Sequence, residues 1–291
     1  MLFPWFVRRV YYVLNKPQYA ALTSVAYAML LFSLLALFRS TIFQRTETIY
    51  LIMAFSGFTA SLSFFLVVRG GEKHNAAHLN EIIKQNWKFG KWIILTGFLV
   101  SIAHQMPILF IGSARGLEEA GILRALHNFI QPMMVIITAI SMLFLPIFSA
   151  QFKKLGASGL KKNGVIITSV VFIMSVVYGL FLWIFRFQLE QLFYGGKYHD
   201  YVDLIPLFSL VPMLMALTIG ASVILKAIQK PQAIFVVSIG KLITSIVISL
   251  VFITRWGLIG AVWSAVITQA VATLLILIIL LRRFRFSAYS N

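Results

Sequence analysis

The sequence contains no cysteine, only eight acidic residues and few charged residues of either sign. Without cysteine there is no disulfide framework, no thiol nucleophile and no cysteine-ligated metal site. Only 11% of the 291 residues are charged and 60% are hydrophobic, an excess that lipid has to solvate. The composition therefore predicts an integral membrane protein with almost no aqueous domain.

Catalytic signatures are missing as well. The sequence has no P-loop, no G-x-S-x-G elbow and no His-Glu-x-x-His motif. His74 and His78 have a spacing that can share a metal ion, but no third ligand lies nearby. We therefore predict no catalytic residues, no metal site, no cofactor and no enzymatic activity.

Long apolar stretches dominate what is present. A hydrocarbon core about 30 Å thick requires about 20 mostly apolar helical residues. Eight stretches meet this requirement, near 19–38, 48–68, 91–112, 120–148, 164–185, 203–226, 233–253 and 257–281. They predict an all-α polytopic membrane protein of about eight transmembrane helices.

A net charge of +17 would suggest nucleic-acid binding in a soluble protein. In a membrane protein the alternative explanation is topology, because cytoplasmic loops collect Lys and Arg. With the N-terminus inside, the cytoplasmic loops hold Arg8, Arg9, Lys16, Arg69, Lys73, Lys84, Lys88, Lys91, Lys153, Lys154, Lys161, Lys162, Lys226, Lys230, Arg282, Arg283 and Arg285. The outer loops hold only Arg39, Arg45, Arg115, Arg186, Lys197 and Arg255. This asymmetry predicts both termini in the cytoplasm and membrane lipids, not nucleic acid, as partners.

A further internal feature is the segment from His78 to Lys91. It sets apolar residues such as Ile82 and Trp87 against Lys84 and Lys88. An amphipathic helix of this kind can lie along the membrane surface with its lysines toward anionic headgroups. We expect it to connect two groups of spans.

Polar side chains inside spans are candidate site residues, because each is costly in lipid. In the third span His104 and Gln105 precede Pro107, which suits a kink beside a cavity, although a neighbouring helix could also satisfy the histidine. In the fourth span one helical face carries Arg124, His127, Asn128 and Gln131. This face predicts a polar interior, and the alternative for Arg124 is snorkelling to the interface.

The seventh span places Lys241 near the middle of the bilayer, on one face with Ser238, Ser245 and Ser249. A lysine at that depth requires an anion, carbonyl groups or water, whereas the serines could also serve as packing contacts between helices. No carboxylate is predicted in the middle of a span. A cavity with Lys, Arg and His but no acid should prefer an anion, and phosphate-bearing substrates have that sign.

Several local patterns resemble a known family when taken in order. They are Phe89-Gly90-Lys91-Trp92, Gly116-Leu117-Glu118-Glu119-Ala120-Gly121-Ile122-Leu123, Leu145-Pro146-Ile147-Phe148-Ser149, Leu192-Phe193-Tyr194-Gly195-Gly196-Lys197-Tyr198, Lys226-Ala227-Ile228-Gln229-Lys230-Pro231 and Gly257-Leu258-Ile259-Gly260-Ala261. This order resembles the polysaccharide flippases that export O-antigen, exopolysaccharide or teichoic acid precursors. Their superfamily also contains the lipid II flippases and the multidrug and toxin extruders.

The resemblance implies a bacterial cytoplasmic-membrane transporter of two six-helix lobes around a cationic cavity. Residues 1–90 would be the last two helices of the first lobe plus the linker, and residues 91–291 the second lobe. About four N-terminal helices would then be lacking, so that the chain is a truncated form or pairs with another polypeptide, such as a missing N-terminal lobe or a glycan assembly protein.

The implied cargo is an undecaprenyl-diphosphate-linked oligosaccharide. Lys241, Arg124 and His127 would pair with phosphate, and His104 and Gln105 would line the sugar path. Asn128 and Gln131 would bind hydroxyl groups. The alternatives are a polytopic glycan polymerase or acyltransferase using His104 or His199, a multidrug extruder of the same superfamily, and a membrane scaffold without transport activity.

Overall fold

A computed structural model describes residues 7, 10–11, 17–38, 46–62, 76–156 and 159–288. Every regular element in these ranges is helical, as the all-α prediction requires. The α-helices are α1 Pro17–Leu37, α2 Thr46–Ser61, α3 Ala76–Arg115, α4 Leu117–Leu155, α5 Leu160–Ile184, α6 Arg186–Tyr194, α7 Leu204–Ala216, α8 Ile219–Ala227 and α9 Pro231–Ala288. A single 3₁₀ turn, His199–Tyr201, precedes α7.

Six helical segments of the described chain are long and apolar enough to cross a membrane. They are Gln18–Leu37, Asn86–Arg115, Leu117–Lys154, Leu160–Ile184, Leu204–Ala227 and Pro231–Arg282. The predicted second span corresponds to α2, whose 16 residues extend about 24 Å, and the end of that prediction lies outside the described residues. The last segment contains both of the final predicted spans. A multi-pass membrane protein is confirmed.

The helix α9 is a hairpin of two helical halves. Gly257 has φ 55° and ψ −128°, a conformation outside the helical region that reverses the chain between residues 231–256 and 258–288. The halves then lie side by side, since Ser249 contacts Ser264 and Lys241 contacts Gln269. A Cβ atom on Gly260 would lie directly against the carbonyl oxygen of Phe252, so this position requires glycine.

The segment formed by α7 and α8 is the most enclosed span. In its most apolar window 61% of the residues are buried, against 11–39% in the other five spans. It packs against α4, α5 and α9. A break at Leu217–Thr218 separates its two helices, and the Thr218 hydroxyl donates to the carbonyl of Met215 at 2.8 Å. The centre of this bundle is therefore an interrupted helix.

The predicted surface segment at 78–91 is not a separate element. It forms the beginning of α3, which runs for 40 residues from Ala76 to Arg115 without interruption. At 1.5 Å per residue this helix is about 60 Å long, twice the hydrocarbon thickness. The segment is continuous with the membrane-spanning part of α3, and its location at the membrane surface stays a prediction.

The chain forms two compact units, Met1–Asn80 and Glu81–Asn291. In the first unit α1 packs against α2. The second unit contains nearly all of α3 and all of α4 to α9. The boundary between the two units, after Asn80, lies near the predicted division at residue 90. The assignment of these units to two transporter lobes stays a prediction.

Charge is distributed unevenly between the two ends of the second unit. The end with the α4–α5 turn exposes Lys153, Lys154, Lys161, Lys162 and Lys230. The opposite end holds the acidic residues Glu118, Glu119, Glu190, Asp200 and Asp203, and among the described acids of this unit only Glu81 lies elsewhere. No acidic side chain in the described part of the unit lies between these ends.

Candidate functional site

Two histidines from neighbouring helices meet inside the second unit. The His104 ring on α3 lies 6.0 Å from the His127 ring on α4, with the ring planes nearly perpendicular. The His127 ring also contacts the edge of Phe208 on α7, at 5.8 Å between centroids. Both histidines are partly buried. The structure thus brings together two candidates that the sequence placed in different spans.

These histidines form the polar part of an otherwise apolar pocket. Helices α3, α4, α7 and α9 enclose this pocket. Its lining is His104, Pro107, Ile108, Leu123, His127, Ile130, Phe208, Val211, Ala261 and Ala265. The helix α3 continues through Pro107, which faces this pocket three residues after His104. The pocket thus places two imidazole rings against an apolar wall.

Lys241 contributes a positive charge near this pocket. Its ammonium nitrogen donates to the side-chain oxygen of Gln269 at 2.8 Å, across the α9 hairpin. Lys241 and Arg124 both lie close enough to interact electrostatically with His104. Among the described residues, no carboxylate is within ion-pair distance of Lys241, and the one ion pair found joins Arg186 to Asp203. The charge of Lys241 therefore has a neutral partner.

The serines that share the Lys241 face bind other parts of the protein. Ser245 donates to the carbonyl of Ala103 at 2.7 Å, and Ser249 lies 3.2 Å from the hydroxyl of Ser264. Ser238 bonds to the carbonyl of Ile234 in its own helix. All three are buried. Helix packing explains Ser245 and Ser249, so that Lys241 is the residue on this face with charge available for a ligand.

The polar face of α4 divides into two parts. His127 turns toward the pocket, whereas Arg124, Asn128 and Gln131 are exposed. The side-chain amide of Asn128 donates to the hydroxyl of Tyr194 at 3.0 Å. We call Arg124, Asn128, Gln131 and the exposed Thr138 the α4 stripe. It is an open polar surface on a membrane-spanning helix.

Gln105 lies outside the pocket. It is exposed on α3, on the same helical face as Ile94, Phe98 and Leu109, whose exposed fractions are 62%, 64% and 59%. It does not line the pocket. The predicted role of Gln105 in a sugar path stays a prediction, and its surroundings are those of a lipid-facing surface.

Two residues of the site were missed at the sequence level, Gln269 and Tyr194. Gln269 could have been found by counting, because a turn near residue 255 places it opposite Lys241 in a hairpin. Tyr194 gives no such signal, since its contact with Asn128 joins residues 66 positions apart. Across the described residues, no group of three His, Asp or Glu side chains could hold a metal ion.

Comparisons with known proteins place this arrangement in a known fold. No protein-family model matches the chain, and no curated protein sequence matches it. Two solved structures do match it. They are the outward-facing and inward-facing conformations of a multidrug resistance MATE family transporter of the MOP superfamily. The TM-scores are 0.74 and 0.75, at 16% and 17% sequence identity.

The matches cover 95% and 94% of this chain but only 63% and 65% of the transporter chains. The chain thus spans less than two thirds of their length. At such low identity the likeness concerns the fold and not the substrate. The neighbours are transporters rather than enzymes, and the described helices of this chain resemble in fold about two thirds of such a transporter.

Proposed function

We propose that the chain acts in a transporter that flips undecaprenyl-diphosphate-linked oligosaccharides across the bacterial cytoplasmic membrane, with both termini in the cytoplasm. The observation that carries this proposal is Lys241, an ammonium group about ten residues into a spanning helix with the neutral Gln269 as its partner. A charge held this way attracts an anion, because no described carboxylate near it cancels its field. The diphosphate of the lipid carrier supplies such an anion.

The α4 stripe supports a polar head group rather than an apolar cargo. Arg124, Asn128 and Gln131 are exposed on a helix that would otherwise meet lipid. Amides bind sugar hydroxyls through paired donor and acceptor groups, and the guanidinium group of Arg124 can bind a second phosphate oxygen. The head group would pass along this face while the polyprenyl tail stays in the bilayer.

A multidrug extruder of the same superfamily is the second candidate, favoured by the fold likeness alone. Many such substrates are organic cations, and these would be repelled by the positive charges of Lys241 and Arg124. The sign of the charge on the preferred ligand therefore distinguishes the two candidate functions.

A flipping assay tests the proposal. The purified protein is reconstituted into liposomes with a fluorescent polyprenyl-diphosphate oligosaccharide, and the fraction that reaches the opposite leaflet is measured by quenching from outside. We expect flipping by the unmodified protein and at least a tenfold slower rate after Lys241→Gln, since about 1.4 kcal/mol of lost binding corresponds to tenfold.

Lys162→Gln is the matched control, because it removes the same charge from an exposed lysine at the end of the bundle. Its flipping rate should equal that of the unmodified protein. Full flipping by a correctly folded Lys241→Gln variant would exclude the proposed role of this lysine. Binding of ethidium in preference to inorganic diphosphate would favour the extruder.

A further inference from the structure

The partner of Lys241 is an amide in a position where a carboxylate of the same length would also fit. Gln269 is only 6% exposed, and its oxygen lies 2.8 Å from the ammonium nitrogen. An amide oxygen orients the ammonium group through a charge–dipole hydrogen bond but leaves the net charge at +1. A glutamate here would form a partly buried ion pair with a net charge of zero.

The backbone around Gln269 is held firmly. The Thr273 hydroxyl, one turn farther along, donates to the carbonyl of Gln269 at 2.9 Å and to that of Leu214 on α7 at 3.0 Å. On the opposite half of the hairpin, Ser245 anchors the Lys241 helix to α3 beside His104. The amide oxygen is therefore presented to Lys241 from a fixed position.

The surroundings add the positive charge of Arg124 and none of the opposite sign. Arg124 and Lys241 both lie close enough to His104 to interact with it electrostatically. Over the described residues of α3, α4, α7 and both halves of α9, every acid is at an end of the bundle. The charge of the whole site therefore depends on which residue accompanies Lys241.

We propose that Gln269 is the positioning residue that determines the charge preference of this site: it fixes the Lys241 ammonium without neutralising it and so makes the site selective for a phosphate-type anion. The identity of the anion as diphosphate rests on the proposed function. The claim that anion binding depends on a neutral residue at position 269 does not rest on the proposed function.

The test uses inorganic diphosphate as the probe and the full chain in lipid nanodiscs. Binding to the unmodified protein is compared with binding to Gln269→Glu by isothermal titration calorimetry, and thermal unfolding is followed in parallel. We expect Gln269→Glu to bind diphosphate at least tenfold more weakly, because the new carboxylate cancels the charge of Lys241 and repels the anion. Its Tm should be equal or higher, because the variant gains an ion pair without losing volume.

A loss of diphosphate binding without a fall in Tm separates a charge effect from simple damage to the fold. Gln232→Glu is the matched control, since it makes the same charge change at an exposed position near the start of α9 and should bind diphosphate normally. Unchanged binding by Gln269→Glu would overturn the proposal.

A second variant covers the case in which Gln269→Glu does not fold. Exchanging the pair, with Lys241→Gln and Gln269→Lys together, keeps one ammonium group bonded to one amide. This exchange should retain diphosphate binding within a few-fold, and its loss in a folded protein would also overturn the proposal.

The flipping assay distinguishes this inference from the proposed function. If diphosphate binding depends on Gln269 but the glycolipid is not flipped, the proposed cargo is wrong and the anion site remains supported. If Gln269→Glu flips the glycolipid as fast as the unmodified protein, the proposed function remains supported and the proposed role of Gln269 is wrong.

Discussion

Two helices of the second unit carry polar side chains at helical spacing, and the structure uses them in opposite ways. The α4 stripe leaves Arg124, Gln131 and Thr138 exposed. The α9 hairpin instead encloses Ser245 and Ser249, each of which contacts a neighbouring helix or the other half of the hairpin. Similar sequence patterns thus produce an open polar surface on α4 and a buried packing contact on α9. We call Ser245 and Ser249 with their partners the α9 seam.

The difference teaches how to find a site among polar residues in a membrane span. A hydroxyl group already bonded to a neighbouring helix is satisfied and has no need of a ligand. An exposed amide, or an ammonium group with a neutral partner, retains unused hydrogen bonds or charge. By this criterion Lys241 belongs functionally with the α4 stripe, although it lies on the hairpin with the serines.

Among the variants that test this difference between α4 and α9, the largest loss of stability is expected from one that separates the two halves of the α9 hairpin. Gly260→Ala places a methyl group against the backbone carbonyl of Phe252, which cannot rotate away as a side chain would. We expect the free energy of unfolding in detergent to fall by about 1–3 kcal/mol, the usual range for overpacking, with loss of diphosphate binding as Lys241 and Gln269 move apart.

Gly121→Ala on α4 is the matched control. Its new Cβ meets nothing within 4 Å, and helices favour alanine over glycine. The free energy of unfolding should stay the same or rise slightly. Equal stability of the two variants would show that the halves of α9 are not closely packed.

A smaller effect is expected from a single hydroxyl group of the seam. Ser245→Ala leaves the carbonyl of Ala103 without its side-chain donor, and we expect a loss of about 0.5–1.5 kcal/mol in the free energy of unfolding. Thr138→Val removes a hydroxyl from the exposed stripe, where it bonds only to the carbonyl of Met134 in its own helix. Its effect should remain below about 0.5 kcal/mol. Reversal of this order would contradict the distinction between seam and stripe.

Much of the fold could be predicted because a membrane span is encoded by a continuous run of apolar residues. Apolar runs of about 20 residues indicated the spans. The continuous α3 could not be predicted in this way. Its charged first turns are typical of a surface segment, and the sequence does not show whether two adjoining helical segments share one axis.

The site could be predicted only in part, because helical spacing identifies a face but not what the face meets. The spacing placed Lys241 and Ser245 together, although their partners lie on other parts of the chain, at Gln269 and Ala103. It also grouped His127 with Asn128, which the bundle directs to different surroundings. The pairing of His104 with His127 depends on the packing of α3 against α4.

The last prediction concerns accessibility and should leave stability nearly unchanged. Because the chain has no cysteine, a single introduced thiol reports on its own position alone. In liposomes, Gln131→Cys should react with a charged, membrane-impermeant maleimide, since the α4 stripe would face a water-filled path. Ile173→Cys is the matched control on α5, because its side chain is 61% exposed among apolar neighbours and should be protected by lipid.

Gln105→Cys extends this measurement to the site candidate that lies among exposed apolar residues of α3. Its apolar neighbours Ile94, Phe98 and Leu109 are typical of a lipid-facing surface, so we expect it to resist the maleimide as Ile173→Cys does. Rapid labelling would instead place this face of α3 beside water and return Gln105 to the sugar path. Protection of Gln131→Cys would show that exposure of a polar residue in this fold does not indicate an aqueous path, and the α4 stripe would lose its proposed role.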